Sequence, residues 1–363
     1  MDERKNVYPE LLRRLERREP TVLATVVEAE GATPQIPGAS ALFGGSGLLL
    51  GTLGGGMLEA DAWEKALACL KNQNSVFYRF ELQGEDVTAG EPICGGLVSI
   101  LVDASPETQG PAWRSLADAL LARRSGVLVT RIDRLPHDQA RIVRFWLEEK
   151  DTHPEAGPSL GRLAGELAKA RRQDKPGLLR GERTDEQGPQ ILYFLEPIRP
   201  LPRLLIVGAG HIGQAVARQG SWLDFDITVV DDRPEYATRE KFPVGTTLVV
   251  KEIERAVREF SMSAETYIVI VTRGHSHDAE ALRACIHSSA AYIGMIGSRH
   301  KIALMRERFL SEGWASAREW DRVRTPIGLK IGSITVEEIA VSIAAELVQV
   351  RNEARERKAR ETP

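Results

Sequence analysis

Residues 204–213 read LLIVGAGHIG, an apolar strand that ends in a glycine-rich turn and continues into a helix. A second apolar strand, residues 227–231, ends in Asp231 at the distance expected between a phosphate-binding turn and the acid that follows it. In such a turn the first glycine forms the bend, the second lets backbone amides approach a phosphate, and the third lets the helix pack closely. The helix amino terminus also favours an anion. The stretch therefore predicts a Rossmann-type α/β domain.

Strands and helices continue to alternate after this turn, as in βαβ units. The predicted strands are residues 204–207, 227–231, 247–250, 267–271 and 291–293. They are nearly continuous apolar runs, which is typical of a parallel sheet that is buried on both faces. Residues 335–338 (TVEE) form a capping box that begins the last helix. We predict a nucleotide-binding domain over residues 203–350 and a charged tail over 351–363 that frays into solvent.

The region before this domain is predicted as an N-terminal α/β domain over residues 1–196. The first predicted element is an amphipathic helix around residues 8–15, and further strands and helices follow. The predicted strands are residues 22–27, 97–102, 127–132 and 142–146, and the predicted helices are 60–70, 113–121 and 160–170. Three prolines stiffen a predicted linker at residues 197–202. The fold class is thus α/β throughout, with a parallel sheet in the C-terminal domain.

Composition excludes several classes of protein. The chain has 363 residues and a formal net charge of −3, so no global basic field indicates nucleic acid or an anionic membrane as a partner. No apolar stretch is long enough to span a bilayer. The three cysteines show no zinc spacing and cannot pair completely, which predicts a cytoplasmic protein. His275, His277 and Asp278 match no standard metal site, so no metal ligands are predicted.

A second glycine run precedes the helix at 60–70, where residues 51–59 read GTLGGGMLE. Such a run is costly in backbone entropy, which suggests the close approach of a ligand, although a sharp strand-to-helix turn would also explain it. Cys94 lies on another glycine turn, PICGG at residues 92–96. Free amides near this thiol would lower its pKa, so we interpret Cys94 as functional. Cys69 and Cys285 lie among Leu and Ala and are predicted to be core residues.

Further candidates lie where the predicted parallel strands end, which is the edge at which open α/β sheets bind ligands. Asp231 would accept hydrogen bonds from ribose hydroxyls at the rim of the crevice. Ser298 and Arg299 begin a helix and could hold a phosphate. His275 is a candidate ligand contact, whereas Asp278 is interpreted as a helix cap. A doubly wound fold needs glycine turns even without a ligand, so a purely structural role for the motif stays open.

Taken together, these sequence blocks resemble the XdhC/CoxI family, the accessory proteins of xanthine dehydrogenase and related molybdenum hydroxylases. The N-terminal blocks are EGATP (30–34), PGA (37–39), GTLGGG (51–56) with Glu59, and CGG (94–96). The C-terminal blocks are GAGHIG (208–213), VDDR (230–233), TRGH (272–275), IGMIGSR (293–299) and PIGLKIG (326–332). Each block is modest, but their order and pairing are specific.

The resemblance implies a chaperone of the molybdenum cofactor rather than a turnover enzyme. Such proteins bind and protect the molybdopterin cofactor, assist its sulfuration with a cysteine desulfurase, and deliver it to a xanthine dehydrogenase-type hydroxylase. Cys94 matches the family's cysteine and is the predicted catalytic residue. Met57 stands where many relatives have a second cysteine, so a scheme with two N-terminal thiols is not expected. The predicted cofactor-binding residues are Gly54, Gly55, Gly56, Glu59, Cys94, Gly95, Gly96, Gly208, Gly210, His211, Gly213, Asp231, Arg233, His275, Ser298 and Arg299.

Two other functions stay open at this point. The glycine motif with Asp231 would also suit an NAD(P)-dependent oxidoreductase, although no proton-transfer group is evident beyond His275. A regulatory module that senses NAD(P) or another nucleotide is the third possibility, because a fold alone does not fix a function. The oligomeric state is not readable from sequence, and a homodimer is only the commonest default.

Overall fold

The structure, a computed structural model, describes residues 7–82, 96–148, 160–181 and 189–361. The chain divides into two compact units, Glu3–Pro200 and Leu201–Pro363.

The first unit combines four helices with two sheets, within the described residues. Its elements in chain order are α1 (Tyr8–Glu16), β1 (Val22–Gly31), β2 (Ser40–Gly44), β3 (Gly47–Gly51), α2 (Gly56–Asn72), β4 (Val76–Leu82), β5 (Gly96–Asp103), α3 (Gly110–Leu121), β6 (Gly126–Arg134), β7 (Ala140–Glu148), α4 (Leu160–Gln173), β8 (Gly177–Arg180) and β9 (Gln190–Ile198). The sheet orders are β3-β2-β1-β5-β4 and β7-β6-β9-β8. All pairings within these two sheets are antiparallel.

Helix α2 covers one face of the first sheet. Leu58, Ala62, Ala66 and Cys69 repeat at helical spacing and are buried against apolar side chains of the strands. The small residues Ala62 and Ala66 let the helix lie close to the sheet. This packing fixes the start of α2, and with it the glycine run that precedes the helix.

A buried polar network joins the beginning of this unit to its end. The Tyr8 hydroxyl donates to Glu196, and the Arg144 guanidinium pairs with Asp103 while lying over the Trp113 ring. Burial raises the pKa of Glu196 to about 7, although the hydrogen bond from Tyr8 and the charge of Arg144 act in the opposite direction. The Glu196 carboxyl group therefore keeps its proton to a higher pH than an ordinary glutamate does.

The predicted linker begins too early in the sequence. Strand β9 continues to Ile198, and Pro197 pairs with Val127 of β6. On the other side of β9, strand β8 pairs only with residues 192–195, so Pro197 lies at a free edge where its missing N–H costs nothing. The extended connection is thus shorter than predicted.

The second unit contains a parallel sheet, as the sequence predicted, with a sixth strand beyond the five that were predicted. Its elements are β10 (Arg203–Val207), α5 (His211–Trp222), β11 (Asp226–Asp231), β12 (Thr247–Val250), α6 (Ile253–Glu259), β13 (Thr266–Ile270), α7 (His275–Cys285), β14 (Tyr292–Met295), α8 (Arg299–Ser311), α9 (Ala317–Asp321), β15 (Val323–Arg324) and α10 (Val336–Glu361). The order β12-β11-β10-β13-β14-β15 has its switch point between β10 and β13. That point is where doubly wound sheets bind ligands.

The last helix begins with the predicted capping box. It does not end at residue 350, after which the charged tail was expected to fray. Glu338 accepts from the Thr335 backbone N–H, and the Thr335 hydroxyl accepts from the Glu338 N–H. The helix then continues to Glu361. Arg351 ties it back by donating to the Leu223 carbonyl at 2.7 Å, which explains helical order beyond residue 350.

Candidate functional site

The N-terminal glycine run forms the turn between β3 and α2. Gly54, Gly55 and Gly56 have φ angles of 115°, 77° and 59°, which favour glycine at each position. A Cβ atom at Gly54 would lie 2.7 Å from Pro34, so packing alone explains that glycine. At Gly55 and Gly56 a Cβ atom would meet nothing within 4 Å. Two of the three glycines therefore present bare backbone to open space.

Glu59, one of the predicted binding residues, holds this turn in place. Its Oε1 atom accepts from the Thr52 hydroxyl at 2.6 Å, the Leu53 amide at 2.8 Å and the Gly55 amide at 3.3 Å. The carboxylate thus satisfies backbone donors at the start of α2, where no side chain caps the helix. Glu59 preorganises the glycine turn from inside the protein.

Three sequence blocks of the N-terminal unit meet around this turn. Gly54 lies against Pro34, as noted above. A Cβ atom at Gly96 would lie 2.6 Å from the Ala32 carbonyl oxygen and 2.8 Å from Thr33, so the first residue of β5 packs tightly on the 32–34 loop. Cys94 and Gly95 lie outside the described residues.

Two exposed apolar side chains flank the same turn, and sequence reasoning did not identify them as part of the site. Ile36 follows the 32–34 loop and is 72% exposed, and Met57 follows the triple glycine and is 58% exposed. The sequence could have indicated them, because both are large apolar residues that stand beside glycine or proline where no core element was predicted.

The other two cysteines are core residues, as predicted. Cys69 and Cys285 are fully buried within α2 and α7. Burial raises the pKa of Cys69 to about 11 and that of Cys285 to about 12. Neither thiol is available as a nucleophile at neutral pH.

The Rossmann turn uses its glycines in two different ways. A Cβ atom at Gly208 would lie 2.4 Å from the Val271 carbonyl oxygen, and one at Gly213 would lie 1.9 Å from the Gly208 carbonyl oxygen. Both are therefore required by packing. Gly210 has an ordinary φ of −68°, and a Cβ atom there would meet nothing within 4 Å. Among the described residues, no contact explains the glycine at position 210.

Asp231 does not lie at an exposed rim, and that part of the prediction is wrong. The side chain is 2% exposed. Its two oxygens accept from the Ala209 amide at 2.7 Å, the Arg233 amide at 3.0 Å, and the Arg233 guanidinium at 2.9 and 3.1 Å. Burial acts to raise the pKa of Asp231, but the donors of Arg233 and Ala209 outweigh it and lower the pKa. Asp231 and Arg233 thus stabilise the glycine turn together.

An ion pair between residues that follow β11 and β13 bridges the crevice instead. Arg273, after β13, pairs with Asp232, after β11, at 3.0 Å, so the ion pair reaches across the end of β10.

Asp278 is not a helix cap: Gly274 precedes α7, and the Asp278 carboxylate accepts from the Thr272 hydroxyl at 2.6 Å. Burial raises the pKa of Asp278.

The remaining predicted residues of the crevice lie at helix starts. His211 and His275 are the first residues of α5 and α7. Ser298 caps α8 by accepting from the Lys301 amide at 3.3 Å, and both Ser298 and Arg299 are exposed. Three helix amino termini thus point toward the carboxyl edge of the sheet.

The described residues offer neither a metal centre nor a membrane-spanning helix. They contain no group of three or more His, Cys, Asp or Glu side chains that could hold a metal ion. Among the same residues, no helix is long and apolar enough to cross a membrane.

Comparison with known proteins gives consistent results for both units. The family model described as the XdhC Rossmann domain matches residues 204–347, and that of the XdhC and CoxI family matches residues 14–81. A probable xanthine dehydrogenase subunit from Bacillus subtilis is 28% identical over 93% of this chain and 95% of its own length. The crystal structure of a Bacillus halodurans protein described as a xanthine dehydrogenase has a TM-score of 0.69 and 25% identity, with 95% and 96% of the two chains covered.

The chain also has a more distant similarity to a protein described as a cofactor insertion chaperone. The molybdenum cofactor insertion chaperone PaoD of Escherichia coli is 22% identical over 42% of this chain and 41% of its own length. Together with the family matches, this similarity supports an accessory or maturation role. The two family models match separate parts of the chain in the order that the resemblance predicted, and the chain belongs to the XdhC and CoxI family.

Proposed function

We propose that this chain binds the molybdenum cofactor, supports its sulfuration and delivers it to a xanthine dehydrogenase-type hydroxylase. The observation that carries the proposal is the turn at Gly54–Gly56, where two successive glycines face open space. A flat pterin with a phosphate needs a surface of backbone without side chains, and a helix start supplies amides for the phosphate.

The residues around the turn fit such a cargo. Gly55 and Gly56 leave room where any other residue would place a side chain. Glu59 fixes the turn through Oε1. Because the turn is held before the cargo arrives, little ordering entropy is lost on binding. The exposed Met57 and Ile36 would contact either the cargo or the client hydroxylase.

The sulfur step is assigned to Cys94 on sequence grounds. A thiolate is a soft ligand that suits a molybdenum centre, and Cys94 is two residues before the packed Gly96. A cysteine desulfurase would supply the sulfur, so this chain would hold the cofactor in place while the exchange occurs.

Purification tests the cofactor claim. The protein should be isolated without oxygen from a host that makes the cofactor, and then analysed for molybdenum and for oxidised pterin by fluorescence. We expect both in roughly stoichiometric amounts. Background levels of both, with cofactor supplied in excess, would contradict the proposal.

A matched pair of variants tests Cys94. Cys94→Ser should lose cofactor retention or activation of the client hydroxylase. Cys69→Ser is the control, because its buried thiol should affect stability while function persists. Full retention and full client activation by Cys94→Ser would remove the assigned role.

A second candidate function concerns the Rossmann crevice, where Gly210 has no contact that explains it. A nucleotide phosphate, including that of NAD(P), would occupy the space beside Gly210. Calorimetry with NAD, ADP, a guanine nucleotide and the pterin, on the wild type and Gly210→Val, tests this. Steady oxidation of NADH with a substrate would favour an oxidoreductase, and binding without turnover would favour a sensing module.

A further inference from the structure

A second pocket lies in the Rossmann unit, away from the glycine turn. Its floor includes Ala291 and Tyr292, where β14 begins, and its volume is about 350 Å³. The loop that carries Ser298 follows the opposite, carboxyl end of this strand, so the length of β14 separates the pocket from the crevice. A pocket of this size is at the lower end of the range for small-molecule sites, roughly 300–1,000 Å³.

Three arginines line the pocket: Arg322, Arg324 and Arg357. Arg322 donates to the carbonyl oxygens of Ser288 at 2.7 Å and Ala290 at 2.6 Å, so its position is fixed by neutral groups. Within the described part of the chain, Arg324 and Arg357 form no ion pair. Guanidinium groups that line one pocket are well suited to a phosphate, which they bind through paired hydrogen bonds.

Two carboxylates, Asp321 and Glu353, also line the pocket. Glu353 accepts from Gln349 through Oε1. Carboxylates beside arginines would oppose a bare anion, but they accept hydrogen bonds from hydroxyl groups. The Tyr292 hydroxyl points to the buried Glu346 at 2.5 Å, which leaves the tyrosine ring as part of the apolar floor.

One wall of the pocket lies beyond the matched family region, although its other lining residues lie within it. Val350, Glu353 and Arg357 all lie on α10 beyond residue 347, where the family match ends. The continuation of α10 past the expected end of the domain therefore builds one wall of the pocket.

We propose that this pocket binds a small phosphomonoester whose organic part carries hydroxyl groups. Arg324 and Arg357 bind the phosphate beside the fixed charge of Arg322, and Asp321 and Glu353 accept from the hydroxyls. The site is independent of the proposed handling of the molybdenum cofactor.

Calorimetry on the full-length protein tests the proposal with ribose 5-phosphate, ribose and inorganic phosphate as probes. We expect ribose 5-phosphate to bind more tightly than inorganic phosphate, and ribose to show no binding. Arg324→Gln and Arg357→Gln should each weaken ribose 5-phosphate binding by about five- to tenfold, since each removes charge-assisted hydrogen bonds. Arg322 is left unchanged because it also holds backbone carbonyls.

Two controls separate this site from others. Arg318→Gln removes an exposed arginine of α9 that does not line the pocket, and should bind as the wild type does. Gly210→Val blocks the crevice and should also leave binding unchanged. Absence of ribose 5-phosphate binding, wild-type affinity in both pocket variants, or loss in Gly210→Val would each overturn the proposal, and equal affinity for inorganic phosphate would overturn the ligand class.

Discussion

The chain contains two glycine-rich turns that each begin a helix, and they differ in what their glycines face. In the Rossmann turn, Gly208 and Gly213 meet backbone oxygens, and only Gly210 faces open space. In the N-terminal turn, Gly54 packs on Pro34, whereas the two following glycines are open. Packing therefore explains most of the first motif, whereas backbone conformation, with φ angles of 77° and 59°, explains Gly55 and Gly56 in the second.

The two turns share one device, a carboxylate that accepts hydrogen bonds from the turn's own amides. Asp231 acts from the end of the neighbouring strand and is almost fully buried. Glu59 acts from the first turns of the helix that follows. An acidic residue near a glycine motif can thus belong to the scaffold of a site, so its presence alone does not predict a contact with the ligand.

The largest effect is expected for Gly213→Ala. The new Cβ atom would lie 1.9 Å from the Gly208 carbonyl oxygen, so the backbone of α5 or of the turn must shift. We expect the second unit to lose about 3 kcal/mol or more of stability. Hydrogen exchange measured by mass spectrometry on β10 and β13 would detect the loss, and unchanged protection there would contradict the close packing.

A somewhat smaller loss, about 2–3 kcal/mol, is expected for Asp231→Ala, because the Arg233 guanidinium and the Ala209 amide lose their partner. The pKa of Asp231 is lowered in the native state, so its stabilisation is present above the unfolded value of 3.8 and is lost as pH falls through the native pKa. Wild type and variant should therefore converge in stability toward low pH. Asp232→Ala, which removes the ion pair with Arg273 and a longer contact of 3.9 Å with Arg233 but leaves Asp231 in place, is the control.

Gly55→Ala should cost about 1–2 kcal/mol in the N-terminal unit, through backbone strain at φ 77° and not through a clash. Hydrogen exchange of the first turns of α2 is the measurement. If stability were unchanged, the described conformation of the turn would be incorrect.

The smallest effect on stability, within about 0.5 kcal/mol, is expected for Gly210→Ala, because both its φ angle and its surroundings accept a methyl group. Gly55→Ala and Gly210→Ala both place a methyl group in open space, so the difference between their stability losses measures the backbone strain at residue 55. Thermal unfolding of the full chain suffices here, and a loss comparable to that of Gly213→Ala would show that residue 210 is packed after all.

The sequence predicted the Rossmann unit well because its strands are buried on both faces and read as apolar runs. It predicted the N-terminal unit less completely. The hairpin of β2 and β3 was missed, since its short strands are bounded by Gly44, Gly47 and Gly51 and merge with the glycine-rich stretch that follows. Glycine there indicates a tight antiparallel turn as much as a ligand.

The role of individual side chains was harder to predict than the fold. The spacing of Asp231 from the glycine motif was correct, but nothing in the sequence indicated that Arg233, two residues later, turns back onto it. The arginine pocket was also unpredicted, because Arg322 and Arg357 come together only once α10 continues along the sheet. Such long-range proximity leaves no local pattern.

The hydrogen bond between Tyr8 and Glu196 joins residues 188 positions apart, at the two ends of the first unit. During synthesis, helix α1 leaves the ribosome well before its partner strand β9, which is the last strand of that unit. At about 5–20 residues per second, roughly 10–40 s pass between the two. For that interval the cluster around Tyr8 and Leu11 lacks Ile198 and the carboxyl group of Glu196, so the packing of α1 is completed only when β9 has been made.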